Sequence, residues 1–148
     1  TFKTQINASS KEVYEAMLGL NNKNTYEQWT AIFNPTSTYE GSWNTGEKIY
    51  FLGTDENGKR GGMISEIIEN IPNEFVSIKH YGILDGENEI TSGEQVDSWA
   101  GCTENYSFQE HNGVTTVTIT LEVLEAYSDC YNDTFPKALN KLKEIVEH

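Results

Sequence analysis

The sequence predicts an α+β fold in which an antiparallel β-sheet wraps a long C-terminal α-helix. Three observations carry that expectation. Val117, Ile119, Leu121 and Val123 alternate with Thr116, Thr118, Thr120 and Glu122, the period of two that marks a strand with one buried face. Soon after, Phe135, Ala138, Leu139, Leu142, Ile145 and Val146 recur at spacings of three and four, which makes one apolar stripe on a helix. Between these and the N-terminal region, strand-like runs follow one another through tight turns, while helical periodicity is confined to the two ends of the chain.

The elements follow in order. Phe2, Thr4 and Ile6 alternate with Lys3, Gln5 and Asn7 in a short first strand. Ser9 with Glu12 forms a capping box ahead of Val13, Ala16, Met17 and Leu20, so a helix starts near Ser10. Asn21-Asn22-Lys23-Asn24 breaks it. Thr25 with Gln28 offers a second cap, and Tyr26, Trp29, Ile32 and Phe33 share one face of a short helix that Pro35 ends. Thr38 to Trp43 and Lys48 to Gly53 are strands joined at Asn44-Thr45-Gly46, and Asp55-Glu56-Asn57-Gly58 closes the next hairpin. Gly62 to Asn70 and Phe75 to Tyr81 are the following strands, turning at Ile71-Pro72-Asn73. Gly82 to Cys102 is then expected to be a long loop, and loops of that length tend to be lids or binding elements. Thr103 to Gln109 pairs with Val114 onward across His111-Asn112-Gly113. Asp133 is the expected cap of the final helix, with Pro136 in its first turn; a start near Ser128 would instead kink the helix at that proline.

The 148 residues are expected to form one domain, residues 1–148, with a core that needs no staples. No run approaches the roughly 20 apolar residues of a membrane span, and Thr-Phe-Lys-Thr-Gln-Ile lacks the pattern of a secretory signal. Ten basic against 23 acidic residues give a formal charge of −13. Nucleic acid and anionic membrane are therefore excluded as expected partners, because phosphate contact needs clustered Lys and Arg. The excess acid serves solubility first and steers cations second. Cys102 and Cys130 match no zinc spacing and are too few for a disulfide scaffold. Reduced thiols in the cytoplasm are the expectation, although a pair is open if the helix lies on the sheet. Glu147-His148 has the form of the start of a tag, so that histidine is given no role.

Residues along the whole chain carry a resemblance. Ile6-Asn7-Ala8-Ser9, Trp29-Thr30-Ala31-Ile32-Phe33-Asn34-Pro35 and Tyr39-Glu40-Gly41-Ser42-Trp43-Asn44-Thr45-Gly46 begin it. Glu104-Asn105-Tyr106-Ser107-Phe108 and Phe135-Pro136-Lys137-Ala138-Leu139-Asn140-Lys141-Leu142-Lys143 complete it. In these stretches the sequence resembles the helix-grip fold of the SRPBCC superfamily (START, Bet v 1 and relatives), in the branch related to the C-terminal domain of the activator of Hsp90 ATPase. The resemblance implies a sheet of about six to seven strands curled around the terminal helix, with two short helices after the first strand. It also implies a cavity between sheet and helix that holds an apolar or amphipathic small molecule. It supplies no catalytic motif, and the chain departs from shorter members at Gly82 to Cys102, where a lid would place Trp99.

Small-molecule sites are concave, mostly apolar and carry few polar groups. The candidate ligand contacts are accordingly Trp29, Phe33, Trp43, Phe51, Met63, Trp99, Tyr106, Phe108, Phe135 and Leu139. For each aromatic singly, core packing is the default. Trp29, Trp99 and Tyr106 stand out because rings with polar edges suit a half-wet cavity mouth. His80 falls on the strand face of Val76 and Ile78 and is a weak candidate for proton transfer against a hydrogen-bonded core histidine. Glu104 shares parity with Tyr106 and Phe108, so it points inward if they do, and a buried carboxylate is a functional mark. Glu66 and Glu122 are expected on the outer face and His111 in solvent. Gly58-Lys59-Arg60-Gly61-Gly62 is expected to be a turn, not a phosphate site. No metal or cofactor pattern is present in the sequence.

Three functions compete at this level. The first is non-catalytic binding of a small hydrophobic or amphipathic ligand by a monomer or weak dimer. The second is a cyclase- or hydratase-like enzyme using His80 or Glu104. The third, which the family resemblance implies, is a module that stimulates an Hsp90-type chaperone ATPase.

Overall fold

The computed structural model describes residues 2–20, 22–32, 34–54, 57–86, 88–93, 102–121 and 125–147, with 125–133 described by their backbone alone. Strand β1 (Phe2–Ile6) leads into α1 (Ser10–Leu18) and α2 (Lys23–Thr30). β2 (Thr38–Gly41), β3 (Lys48–Thr54), β4 (Arg60–Ile71), β5 (Phe75–Asp85) and β6 (Asn88–Ile90) follow. β7 (Thr103–His111), β8 (Val114–Leu121) and the long helix α3 (Glu125–Glu147) complete the described elements. All pairings are antiparallel, in the order β1-β8-β7-β5-β4-β3-β2, with β6 alongside the far half of β5.

The helix ends obey local chemistry. Ser9 Oγ accepts from the Glu12 N–H at 3.2 Å, the expected cap of α1, and Gly19 closes that helix in the left-handed region at φ 69°. At α2 the cap is Asn22, whose side chain accepts from the Asn24 N–H at 3.0 Å, not Thr25. Thr25 instead donates its hydroxyl to the Ala16 carbonyl at 2.6 Å, tying α2 to α1. α2 ends at Thr30, before the expected Phe33, and Ile32 lies exposed past its end. An asparagine side chain reaches the second N–H beyond it, so the cap forms as soon as the chain leaves the break.

Two further expectations are corrected. The stretch from Gly82 is not all loop: β5 runs on to Asp85 and turns at Gly86 (φ 64°) into β6, where Ile83 pairs with Ile90. Asp85-Gly86 is hairpin chemistry, and Ile83 and Leu84 continue the strand on both sides of the sheet. The lid expectation for the remainder, with Trp99, lies outside the described residues. α3 begins at Glu125 rather than near Asp133, so Pro136 sits well inside the helix. A proline there removes one backbone hydrogen bond at a cost of about 3 kcal/mol or more. Burial of Phe135, Ala138, Leu139 and Leu142, with Ile145 and Val146 packed against them, outweighs that cost. Each fully buried large side chain contributes roughly 1.5–3 kcal/mol.

The core lies between α3, the two short helices and the inner sheet face. Ile6, Ile49, Ile67, Val76, Ile78, Tyr106, Phe108, Val117 and Ile119 supply the strand side. The far end of α3 is tied to β1: Lys143 Nζ donates to the Gln5 carbonyl at 2.8 Å, and the Asn7 N–H donates to the Glu147 carboxylate at 3.1 Å. Among the described residues no helix is long and apolar enough to cross a membrane.

Candidate functional site

α2 and α3 do not fill the sheet's inner face completely. Tyr26, Trp29 and Thr30 of α2, Ser37, Phe51 of β3, Met63 of β4, His80 of β5, Glu104 and Tyr106 of β7 and Phe135 of α3 enclose a cavity of about 210 Å3. Strand register brings these side chains to one face. Phe51 pairs with Met63 and Ile49 with Ser65 across β3 and β4, while Ser65 pairs with His80 across β4 and β5. Ile78 pairs with Glu104 and Val76 with Tyr106 across β5 and β7. Between the Ile64–Gly82 and Ser65–His80 pairs, Tyr81 is an extra residue on β5, a bulge of the kind that re-aims neighbouring side chains.

One wall is polar. Glu104 Oε1 lies 3.3 Å from His80 Nε2, and Ser65 Oγ lies 2.6 Å from His80 Nδ1. The Tyr106 hydroxyl donates to the other carboxylate oxygen, Oε2. With Glu104 ionised the carboxylate only accepts. That places an imidazole proton on Nε2, while Nδ1 shares its hydrogen bond with the Ser65 hydroxyl. Burial, and then the nearby Glu104 charge, hold the Tyr106 phenol well above its ordinary range, and the same two causes raise Tyr26. The rest of the lining is mostly apolar. Phe51 meets His80 edge to face, ring centroids 5.9 Å apart, and Tyr26, which also lines the cavity, packs with Trp29, Trp43, Tyr39 and Phe51. Beyond Phe51 and Ser37, which it shares with the cavity, a wider and more open groove of about 410 Å3 runs along Leu52–Thr54, Lys59–Gly62 and Asp85.

No family model and no curated protein matches the sequence. Solved structures do match the backbone over nearly its full length. The Aha1 dimer from Colwellia psychrerythraea is 22% identical with a TM-score of 0.64, covering 99% of this chain and 93% of that one. A protein from Arthrobacter aurescens is 14% identical at TM-score 0.70, over 97% of this chain and 83% of that one. A protein from Nitrosomonas europaea is 12% identical at TM-score 0.69, over 98% and 91%. The chain shares the helix-grip fold of these structures.

Within the helix-grip cavity, the structure gathers Trp29, Phe51, Met63, Tyr106 and Phe135 with both proton-transfer candidates, His80 and Glu104. Trp43, Phe108 and Leu139 do not line it. Trp43 stands behind the wall, 5.7 Å from Phe51 by ring centroids. Phe108, one inward position beyond Tyr106, meets Tyr14 of α1 edge to face at 5.7 Å. Leu139, one helical turn past Phe135, is packed in the core. Phe33 and Trp99 lie outside the described residues. The indole edge of Trp29 is not offered to the cavity: its N–H donates to the Met17 carbonyl at 2.9 Å, so only the ring faces inward.

Ser37, Thr30 and Ser65 had no signal of their own in the sequence, because their place depends on register and helix docking. Tyr26 did have one, sharing the helical face of Trp29. Glu66 pairs laterally with Lys48 and Lys79, and His111 is exposed at the end of β7. Lys59 and Arg60 pair with Asp85 (2.6 Å) and Glu40 (2.7 Å) at the hairpin tips. Glu122 and the Cys130 side chain lie outside the described residues. Cys102 is half-buried, its carbonyl accepting from the His80 N–H at 2.9 Å.

Proposed function

We propose that this chain binds a small, mostly apolar molecule bearing one polar group in the cavity between sheet and helices, without transforming it. The observation that carries this reading is the cavity's asymmetry: five aromatic rings and Met63 on most of its surface, and His80, Glu104 and the Tyr106 hydroxyl gathered on one side. Such a site rewards an apolar body by burial and orients it through a single polar contact. The volume of about 210 Å3 is below the ~300–1,000 Å3 of drug-sized sites, which supports a small molecule as the guest. A thermal-shift panel of small aromatic and aliphatic compounds tests it. At a hundredfold excess over Kd a ligand of the folded state adds about 2.7 kcal/mol, or roughly 5–10 °C in Tm for a domain of this size. A panel that leaves Tm unmoved throughout rejects the reading.

A catalytic reading has one specific support, the Ser65–His80–Glu104–Tyr106 chain, which could pass a proton at the cavity wall in a cyclase- or hydratase-like reaction. Ser65 is fully buried and absent from the lining, so it is no nucleophile. Should turnover of a bound compound be found, an unchanged rate in His80→Ala removes the proton-transfer role. Stimulation of a chaperone ATPase rests only on the fold likeness to an Aha1 dimer. Pull-down with an Hsp90-type chaperone followed by an ATPase assay decides it.

A further inference from the structure

We infer that the preferred guest of this cavity is a small organic cation, an alkylammonium or quaternary ammonium compound, held by Glu104 inside a cage of aromatic faces. The inference deepens the binding reading above and rests on it. Charge comes first. Among the described lining residues Glu104 is the one carboxylate, and no Lys or Arg lines the cavity. The cations of the neighbouring groove, Lys59 and Arg60, are paired with Asp85 and Glu40. A carboxylate offers about four lone-pair positions. His80 and Tyr106 each engage one oxygen of Glu104, so acceptor capacity toward the cavity remains.

The rest of the wall suits the same chemistry. Tyr26, Trp29, Phe51, Tyr106 and Phe135 supply five rings around about 210 Å3. Aromatic faces attract a desolvated cation by up to about 2 kcal/mol each, most strongly for Trp. A neutral apolar guest gains nothing from Glu104 and must desolvate it, while an anion is repelled by it. The chain as a whole, formally −13, raises the local concentration of cations and speeds their encounter. A site built only for greasy molecules would have no use for a carboxylate at its wall, since burying one without a counter-charge is costly.

Choline and its uncharged carbon isostere 3,3-dimethylbutan-1-ol have nearly the same shape and separate charge from size. Calorimetric titration of the intact chain with each is expected to show choline binding at least tenfold more tightly. The preference is expected to shrink as salt rises from about 0.05 to 0.5 M, as charge screening requires. Glu104→Gln, checked for folding by circular dichroism, is expected to bring the two affinities within twofold of each other. Phe51→Leu, which thins the cage and keeps the carboxylate, is expected to weaken choline more than the isostere. Equal affinities for the two probes in the unmodified protein, or a choline preference that survives Glu104→Gln, overturns the inference. Binding of neutral compounds from the apolar panel with no response to choline overturns it and leaves the binding reading standing. Silence toward every compound overturns both.

Discussion

His80 on β5 and Glu104 on β7 meet on the inner face of the sheet, Nε2 to Oε1 at 3.3 Å, with side chains only 11% and 19% exposed. Their strands do not pair them directly. Glu104 pairs with Ile78, and β5–β7 pairing ends at Lys79–Thr103, so the contact is diagonal. The Tyr81 bulge and the His80 N–H to Cys102 carbonyl bond, 2.9 Å, fix the backbone that makes it.

A double-mutant cycle on this pair is therefore expected to be non-additive. Hydrogen bonds to charged groups contribute about 1.5–3 kcal/mol, and removing one partner leaves the other desolvated. His80→Ala and Glu104→Gln should each lower unfolding free energy, and the double variant should lose less than their sum by roughly 0.5–2 kcal/mol. Urea denaturation at neutral pH measures it. Additive losses would mean that the two groups do not interact in solution.

Alkaline pH should destabilise the fold through Tyr26 and Tyr106. Burial raises both phenols in the folded state above the 10.0 of an exposed tyrosine. Above pH 10 the unfolded chain gives up protons that the folded chain keeps, so unfolding becomes easier as pH rises. The stability these groups provide is intact below pH 10 and declines above it, by about 1.4 kcal/mol per pH unit for each. Denaturation midpoints between pH 9 and 11 check this, and the Tyr26→Phe, Tyr106→Phe double variant should show a flatter decline.

How far the sequence reached depended on whether a signal was local. Ser9 with Glu12, Asn112-Gly113 and the stripe from Phe135 to Val146 act within a few residues, and those features are where their residues place them. Parity alone carried Glu104 to the same face as Tyr106 and Phe108. It did not separate Tyr106, which reaches the cavity, from Phe108, which meets Tyr14 of α1, because that depends on where the short helices dock. The partnership of Ser65 with His80 depends on a bulge and a register, which no single strand records. The β5–β6 hairpin was hidden for a different reason: its glycines and acids look like loop until Ile83 and Ile90 are seen to pair.

Core and cavity positions should respond differently to truncation. Leu142 is fully buried on α3, whereas Met63 is only half-buried and borders open space. Leu142→Ala is expected to cost about 2–5 kcal/mol through lost burial and the void it leaves. Met63→Ala should cost less than about 1.5 kcal/mol, since part of its surface is already uncovered. Thermal melts of the two variants compare them directly, and an equal or larger loss at Met63 would show that the space beside it is closed in solution.

Gly62 links the sheet to the cavity, and its substitution should affect both. A Cβ at Gly62 would stand 1.9 Å from the Phe51 carbonyl oxygen and 2.9 Å from its carbon. Those are backbone atoms, so no rotamer change relieves the clash. β3 must move away from β4 at the point where Leu52 pairs with Gly62 and Phe51 with Met63. Phe51 both walls the cavity and separates it from the outer groove, so displacing it changes the site's shape as well as the strand pairing. Gly62→Ala is expected to lose about 1–3 kcal/mol of stability, the usual cost of overpacking. Gly58→Ala provides the comparison. Gly58 also has positive φ (79°), but nothing lies within 4 Å of its added Cβ, so backbone strain acts there without a clash. In denaturant melts Gly62→Ala should be the less stable of the two. In amide exchange it alone should lose protection along residues 49–54, whereas equal protection in both variants would show that β3 and β4 absorb the methyl group without separating.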